Sequence, residues 1–210
     1  MSFRLRVAIA GFCLVAAAAA MLLASDALRW QHRVGVDDKR FAAAPERSDL
    51  WSLRPLAPFA PTRLLLGLDD DLAYRHAAQA FVLGRPRLET YTDTESIIQR
   101  TRAQVLLADI GDGGGGHSSD ARAEASNLLG VLRLVSTFLD PPQATTYLTG
   151  AAEDFRRAIA LAPEHGHAKY NLELTLLRLR DQLAQRGASG QSPRGGVGSG
   201  SGAKRPGSGY

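Results

Sequence analysis

The stretch that decides the fold is Ala151–Pro163, with the sequence AAEDFRRAIALAP. Ala151, Phe155 and Ala158 are separated by four and three residues, so on a helix they lie on one face, with a small residue on either side of an aromatic ring. The small residues let a neighbouring helix approach closely, and the ring fills the gap between the two helices. Pro163 then ends the helix. This pattern predicts a tightly packed pair of helices.

The residues on both sides extend the pattern. After Pro163 the chain leads into AKYNLEL at residues 168–174, and upstream Leu129 and Gly130 form a Leu-Gly pair. Ala, Phe, Ala and Pro at these intervals, followed by Ala-x-Tyr-Asn-Leu, resemble the tetratricopeptide repeat, in which antiparallel helix pairs stack on one another. The resemblance covers residues 125–186 and amounts to about one and a half repeats. Glu173 departs from it, because the family prefers glycine at that position.

The resemblance implies a scaffold whose binding surface is formed by the first helix of each pair. At the matching positions it nominates Asn127 in one such helix, and His167, Tyr170 and Asn171 in the next. Asn171 would either hydrogen-bond a bound peptide or join helices within the core. Small membrane-anchored repeat proteins of this kind often accompany MoxR-type ATPases and von Willebrand factor A-like membrane proteins in bacteria. The partners implied are therefore membrane proteins.

The closing helix carries an unusually wide apolar face. One row of side chains consists of Leu172, Leu176, Leu179 and Leu183, and a second row consists of Tyr170, Leu174 and Leu177. The last helix of a repeat array normally turns a polar face outward. Either the Pro-rich segment or the helix over residues 69–82 covers this face, or the face is a docking surface to which Leu174 and Leu177 contribute.

An apolar run near the amino end predicts a membrane segment. Residues 7–24, VAIAGFCLVAAAAAMLLA, contain no charge, and as a helix they would be about 27 Å long, close to the roughly 30 Å hydrocarbon core of a bilayer. A cleaved signal peptide is the alternative, but its apolar region is usually about 7 to 15 residues long. We therefore expect an uncleaved anchor in which Cys13 is a small buried hydrophobe.

The charges beside this run predict its orientation. Arg4 and Arg6 precede it, whereas the charges that follow nearly cancel, and positive charge favours the cytoplasmic side. We expect a single-pass protein of the cell membrane with its amino end in the cytoplasm and its carboxyl-terminal domain outside. Trp30 would lie at the bilayer interface or pack in the core. The helix that follows the span is expected to break near Gly35.

Downstream, capping and helix-breaking residues predict five helices, over about residues 69–82, 94–109, 119–139, 143–162 and 166–186. No segment shows the two-residue alternation of half-buried strands, so the class is all-α. Before these helices, a Pro-rich segment is expected to dock through Trp51 and Phe59. The predicted divisions are a cytoplasmic end (1–6), the anchor (7–24), a juxtamembrane helix with the Pro-rich segment (25–61), the helical repeat-like domain (62–186) and a disordered Gly/Ser-rich tail (187–210).

Several functional classes lack support in the sequence. The net charge is +4, but five positive charges lie in the two ends of the chain, which leaves no basic face for nucleic acid. His165 and His167 lack a third ligand at helical spacing. The GDGGGG loop within residues 109–120 lacks the pattern of a phosphate or calcium loop. We expect no enzyme activity, no metal and no cofactor.

The sequence thus predicts a membrane-anchored extracytoplasmic scaffold, similar to tetratricopeptide modules, that mediates protein–protein interaction or assembly of a membrane complex. The alternative is a secreted or periplasmic helical protein that binds a small molecule or a metal through residues 109–120 and the pair His165 and His167.

Overall fold

The computed structural model describes residues 3–52, 61–65, 67–85 and 93–190. Every regular element in these ranges is helical, which confirms the all-α class. The helices are α1 (Phe3–Ala43), α2 (Pro61–Leu65), α3 (Leu68–Leu83), α4 (Thr94–Asp112), α5 (Ser119–Leu139), α6 (Ala144–Leu161) and α7 (Gly166–Gly190), with a 3-10 turn at Pro141–Gln143 before α6. Phe59 and the part of the predicted tail beyond Gly190 lie outside the described residues.

Helix α1 is long and apolar enough to cross a membrane. An 18-residue window within it has a mean hydropathy of 2.5, and none of that window is buried by the residues that the structure describes. Cys13 is exposed to the surroundings of α1 and is not buried by protein as expected, because no other described element packs against this half of α1. The predicted break near Gly35 is absent: α1 continues to Ala43. One glycine costs a helix only about 1 kcal/mol, which packing can outweigh.

The second half of α1 packs against the body of the protein. Trp30 is fully buried in a cluster with Leu50, Trp51 and Leu72, so it belongs to the core. The carboxylate of Asp37 accepts the backbone N–H of Trp51 at 2.8 Å, which ties the chain after α1 back to that helix. The expected docking of Trp51 is confirmed, and the apolar helix and the helical body share one packed interface.

Helices α3 to α7 form a series of antiparallel hairpins. Along α5 and α6 the contacts run in opposite directions, since Gly130 meets Phe155 whereas Arg133, further along α5, meets Gly150. The close approaches of Gly84 to Arg100 and of Gly111 to Ser126 show the same reversal between α3 and α4 and between α4 and α5. These three helices enclose a shared apolar core. That core contains Ala77, Phe81, Ala103, Leu107, Ile110, Leu129 and Leu132.

Helix α3 does not cover the apolar face of α7, because it packs mainly against α4. Helix α7 instead packs on α6, with a smaller contact to α5. Within the described part of the chain, the outward side of α7 is left exposed: Tyr170 is 67% exposed, and Leu176, Leu177 and Leu183 are 40%, 44% and 53% exposed.

Candidate functional site

Phe155 is the centre of the contact between α5 and α6. Its ring is fully buried, as are Ala151 and Ala158 on either side of it. A Cβ placed on Gly130 would lie 2.6 Å from Cε1 of Phe155, so α5 presents bare backbone to the ring. Gly130 and Phe155, both identified from the sequence, therefore contact each other directly. This contact holds α5 and α6 at a close distance.

Beside this contact lies a buried acid that sequence reasoning did not single out. Asp154 is 1% exposed, and its Oδ2 lies 3.2 Å from Nη1 of Arg133 on α5. Burial raises the pKa of Asp154 to about 6, although the guanidinium of Arg133 acts in the opposite direction. The available signal was position, because Asp154 lies one residue before Phe155 on the helix face that packs inward.

Asn127 and Asn171, both nominated for partner binding, contact each other. Nδ2 of Asn171 donates to Oδ1 of Asn127 at 3.0 Å, and Asn127 is almost completely buried. Of the two roles open to Asn171, the structure places it in the contact between α5 and α7. The hydrogen bond between the two amides thus fixes the position of α7 relative to α5, and with it the exposed residues on both helices.

Further contacts show that α5 and α7 run parallel. At their amino ends, Nε2 of His165 lies 2.7 Å from a carboxylate oxygen of Glu124. Nδ1 of His165 accepts the N–H of Ala168, so in the neutral ring Nε2 carries the proton and donates it to Glu124. Near the carboxyl end of α5 and the middle of α7, the guanidinium of Arg178 lies 5.1 Å from the ring centroid of Phe138. From the first contact to the second, the residue numbers increase along both helices, so α5 and α7 point in the same direction.

We call this seam the α5–α7 face and define it by six residues, namely Glu124, Asn127 and Phe138 on α5 with His167, Asn171 and Arg178 on α7. His167 is exposed, with its ring 6.3 Å from that of His165. Phe138 is 60% exposed although Arg178 lies over it. Sequence reasoning missed Phe138 and Arg178, because their proximity depends on the parallel packing of two helices distant in the chain.

The remaining nominated residues lie apart from this seam. Tyr170 points to solvent, and Leu174 packs half-buried against the cluster around Phe155. Leu177 lies in a separate apolar groove of about 450 Å³ between α6 and α7. We call it the outer groove; its lining consists of Ile159, Lys169, Leu172, Glu173, Leu176, Leu177 and Arg180. Both rows of apolar side chains on α7 therefore divide between the cluster around Phe155, which Leu174 and Leu179 contact, and the outer groove, which Leu176 and Leu177 line.

The glycine-rich loop is held by polar contacts from outside it. Oδ2 of Asp70 on α3 accepts the backbone N–H of Gly116 at 3.1 Å, and Asp112 pairs with Arg157 at 2.6 Å. Within the described ranges, no three His, Cys, Asp or Glu side chains are placed to hold a metal ion. These carboxylates therefore stabilise the packing of α3, α4 and α6.

Fold and site together define an all-helical protein: an amino-terminal helix long and apolar enough to cross a membrane is joined to a body of antiparallel hairpins with an exposed polar and aromatic seam. No protein family matches the chain, and comparison with curated proteins and with solved structures finds no significant match.

Proposed function

We propose that this protein is a membrane-anchored scaffold that binds another protein on the α5–α7 face. Helix α1 would serve as an uncleaved single-pass anchor, with the amino end in the cytoplasm and the helical body outside, as the charges around residues 7–24 favour. In this proposal the body, similar to tetratricopeptide modules, contributes to assembly of a membrane complex.

The observation that carries the proposal is the parallel seam between α5 and α7. Parallel first helices, each separated from the next by an antiparallel second helix, are the arrangement in which repeat proteins build a continuous binding surface. Here α6 is that intervening helix, locked against α5 by the close approach of Gly130 and Phe155. The hydrogen bond from Asn171 to Asn127 joins the two helices of this surface.

The chemistry of the seam suits a protein partner. Phe138 supplies an exposed ring, and Arg178 beside it supplies a cation; aromatic and arginine side chains are the residues most often found at the energetic centre of protein interfaces. His167 adds an exposed polar group nearer the amino end of α7. This chemistry fits a partner segment that combines apolar groups, for the ring, with acidic groups, for the guanidinium.

Site-specific crosslinking in membranes tests this proposal. A photoreactive amino acid placed at Phe138 or His167 should yield the same discrete crosslinked protein, and Arg178→Glu should reduce that product several-fold. The matched control places the photoreactive group at Val105, which is 64% exposed on α4 and away from the seam. Equal products from Val105 and Phe138, or no effect of Arg178→Glu, would contradict binding at the α5–α7 face.

Membrane extraction tests the anchor separately. We expect the chain to stay in the membrane pellet after alkaline carbonate treatment, and its body to be digested only when protease is added to the extracytoplasmic side. Release by carbonate would exclude a spanning α1 but would leave the α5–α7 face to be judged by crosslinking.

A further inference from the structure

The outer groove is an apolar surface on a helix that has neighbours on one side only. Ile159 of α6 and the side chains of Leu172, Leu176 and Leu177 form its floor. Helix α7 packs on α6 and α5, and nothing in the described part of the chain covers its outward side. A contiguous apolar surface of this kind is typical of an interaction site.

Charged residues in the groove restrict what can occupy it. Glu173 projects where close apolar packing would otherwise occur, so an approaching helix must bring a cation to that point. Arg180 lies two helical turns further along. It donates to Asp181 beside it, with Nη2 and Oδ1 3.2 Å apart, but both side chains are largely exposed, so a second carboxylate can reach the guanidinium. A suitable occupant is therefore an apolar helix with an opposite charge facing each of these residues.

Helix α7 of a second copy has this pattern when it packs antiparallel to the first. Placing a two-fold axis between Leu176 and Leu177 brings Glu173 of one copy opposite Arg180 of the other, twice. The same axis places Leu176 opposite Leu177, and both of these residues line the groove. Each pair is equidistant from the axis, as an interface made of identical patches requires.

The carboxyl-terminal residues of the chain are a poor occupant by comparison. Residues 191–210 have the sequence QSPRGGVGSGSGAKRPGSGY, which contains no acidic residue and only scattered apolar ones. Such a sequence cannot supply an amphipathic helix with apolar residues at three- and four-residue spacing. It also offers no anion to face Arg180.

We propose that the outer groove is the interface of a homodimer in which α7 of each copy packs antiparallel on α7 of the other. Charge selects this direction, because a parallel pair would place Glu173 against Glu173 and Arg180 against Arg180. The contact is independent of partner binding on the α5–α7 face, which lies on the other flank of α7.

Sedimentation equilibrium of the full chain in detergent micelles, with a charge exchange between positions 173 and 180, tests the proposal. The unchanged chain should be a dimer at micromolar concentration. Glu173→Arg or Arg180→Glu alone should weaken the dimer about tenfold, since each replaces two attractive contacts with two repulsive ones. The double variant E173R/R180E should restore it, which a general loss of folding would not do. Lys169→Gln is the matched control, because Lys169 lies in the groove but would face Ala184.

Disulfide formation tests the direction of packing. In a Cys13→Ser background, the double variant Glu173→Cys/Arg180→Cys should form an intermolecular disulfide readily, because these positions face each other across the axis. Glu173→Cys alone should not, since the two copies of position 173 would be about 10 Å apart along the helices. A monomeric chain, a dimer indifferent to the charge changes, failure of the double variant to restore it, or efficient bridging by Glu173→Cys alone would each overturn the proposal.

Discussion

Asn171 of α7 donates a hydrogen bond to Asn127 of α5 at 3.0 Å, so two residues that the sequence nominated for binding a partner bind each other. Asn127 is 5% exposed, and a buried amide needs a partner. The pair therefore sets the spacing between the two helices of the α5–α7 face. Its contribution to binding is positional: it fixes where Phe138, His167 and Arg178 project.

A double-mutant cycle on this pair tests that role. We expect Asn171→Ala to lower the free energy of unfolding by about 1–3 kcal/mol, because it leaves the buried amide of Asn127 without its partner. Asn127→Ala/Asn171→Ala should cost less than the sum of the two single changes. Chemical denaturation measures all three. Strictly additive costs would show that the two amides do not interact.

A glycine substitution tests the close approach of α5 and α6. Gly130→Ala should destabilise the protein by about 1–3 kcal/mol, because its Cβ would lie 2.6 Å from the ring of Phe155. Gly35→Ala in α1 is the matched control, since a Cβ there meets no atom within 4 Å. The control should be neutral or stabilising by up to about 1 kcal/mol. Thermal unfolding followed by circular dichroism distinguishes the two, and equal melting temperatures would contradict the packing described.

Asp154 predicts a dependence of stability on pH. Its pKa is raised from 3.8 to about 6 in the folded protein, so between these values the folded state holds the proton more tightly than the unfolded chain. Stability from this group is therefore complete below about pH 4 and is lost as the pH rises through 6, by about 2–3 kcal/mol. The charged groups acting on it are Arg133, Arg157, Glu153 and Asp112.

The measurement is the difference in unfolding free energy between the unchanged protein and Asp154→Asn across pH 4 to 7. Other carboxylates titrate in both proteins, so the difference isolates this position. We expect the variant to gain in relative stability as the pH rises. A difference that stays constant with pH would show that Asp154 titrates normally.

Metal titrations separate the scaffold from the alternative of a metal-binding protein. We expect calorimetry of the full chain with zinc and with calcium to give no binding in the micromolar range, because both ring nitrogens of His165 already have partners, namely Glu124 and the N–H of Ala168. Micromolar zinc binding that disappears in His167→Ala would favour the alternative and count against the scaffold.

Local spacing was sufficient for much of the fold. The intervals between Ala151, Phe155 and Ala158 predicted a helix with one face for close packing, and all three side chains are buried there. The glycine at position 130 was identified as part of the same pattern, and it is the residue that Phe155 contacts. These features follow from the 3.6-residue period of the α-helix.

The site was less accessible to such reasoning. Asn127 and Asn171 were found, but their relation was left open, and Phe138 and Arg178 were missed. Each of these pairs joins residues about 40 or more positions apart. Their proximity arises from the parallel stacking of α5 on α7, which no local pattern specifies.

What the chain determined by itself is where the helices after residue 60 lie, which helix faces are apolar and which segment is apolar enough to cross a membrane, since all three depend on neighbours a few positions apart. Only the tertiary structure decided that Trp30 is a core residue, that Asp154 is buried beside Arg133, and that the outward face of α7 is left uncovered by α3. The physical reason is that burial and the pairing of polar groups depend on elements brought together from distant parts of the chain, and these contacts are decided by how whole helices pack.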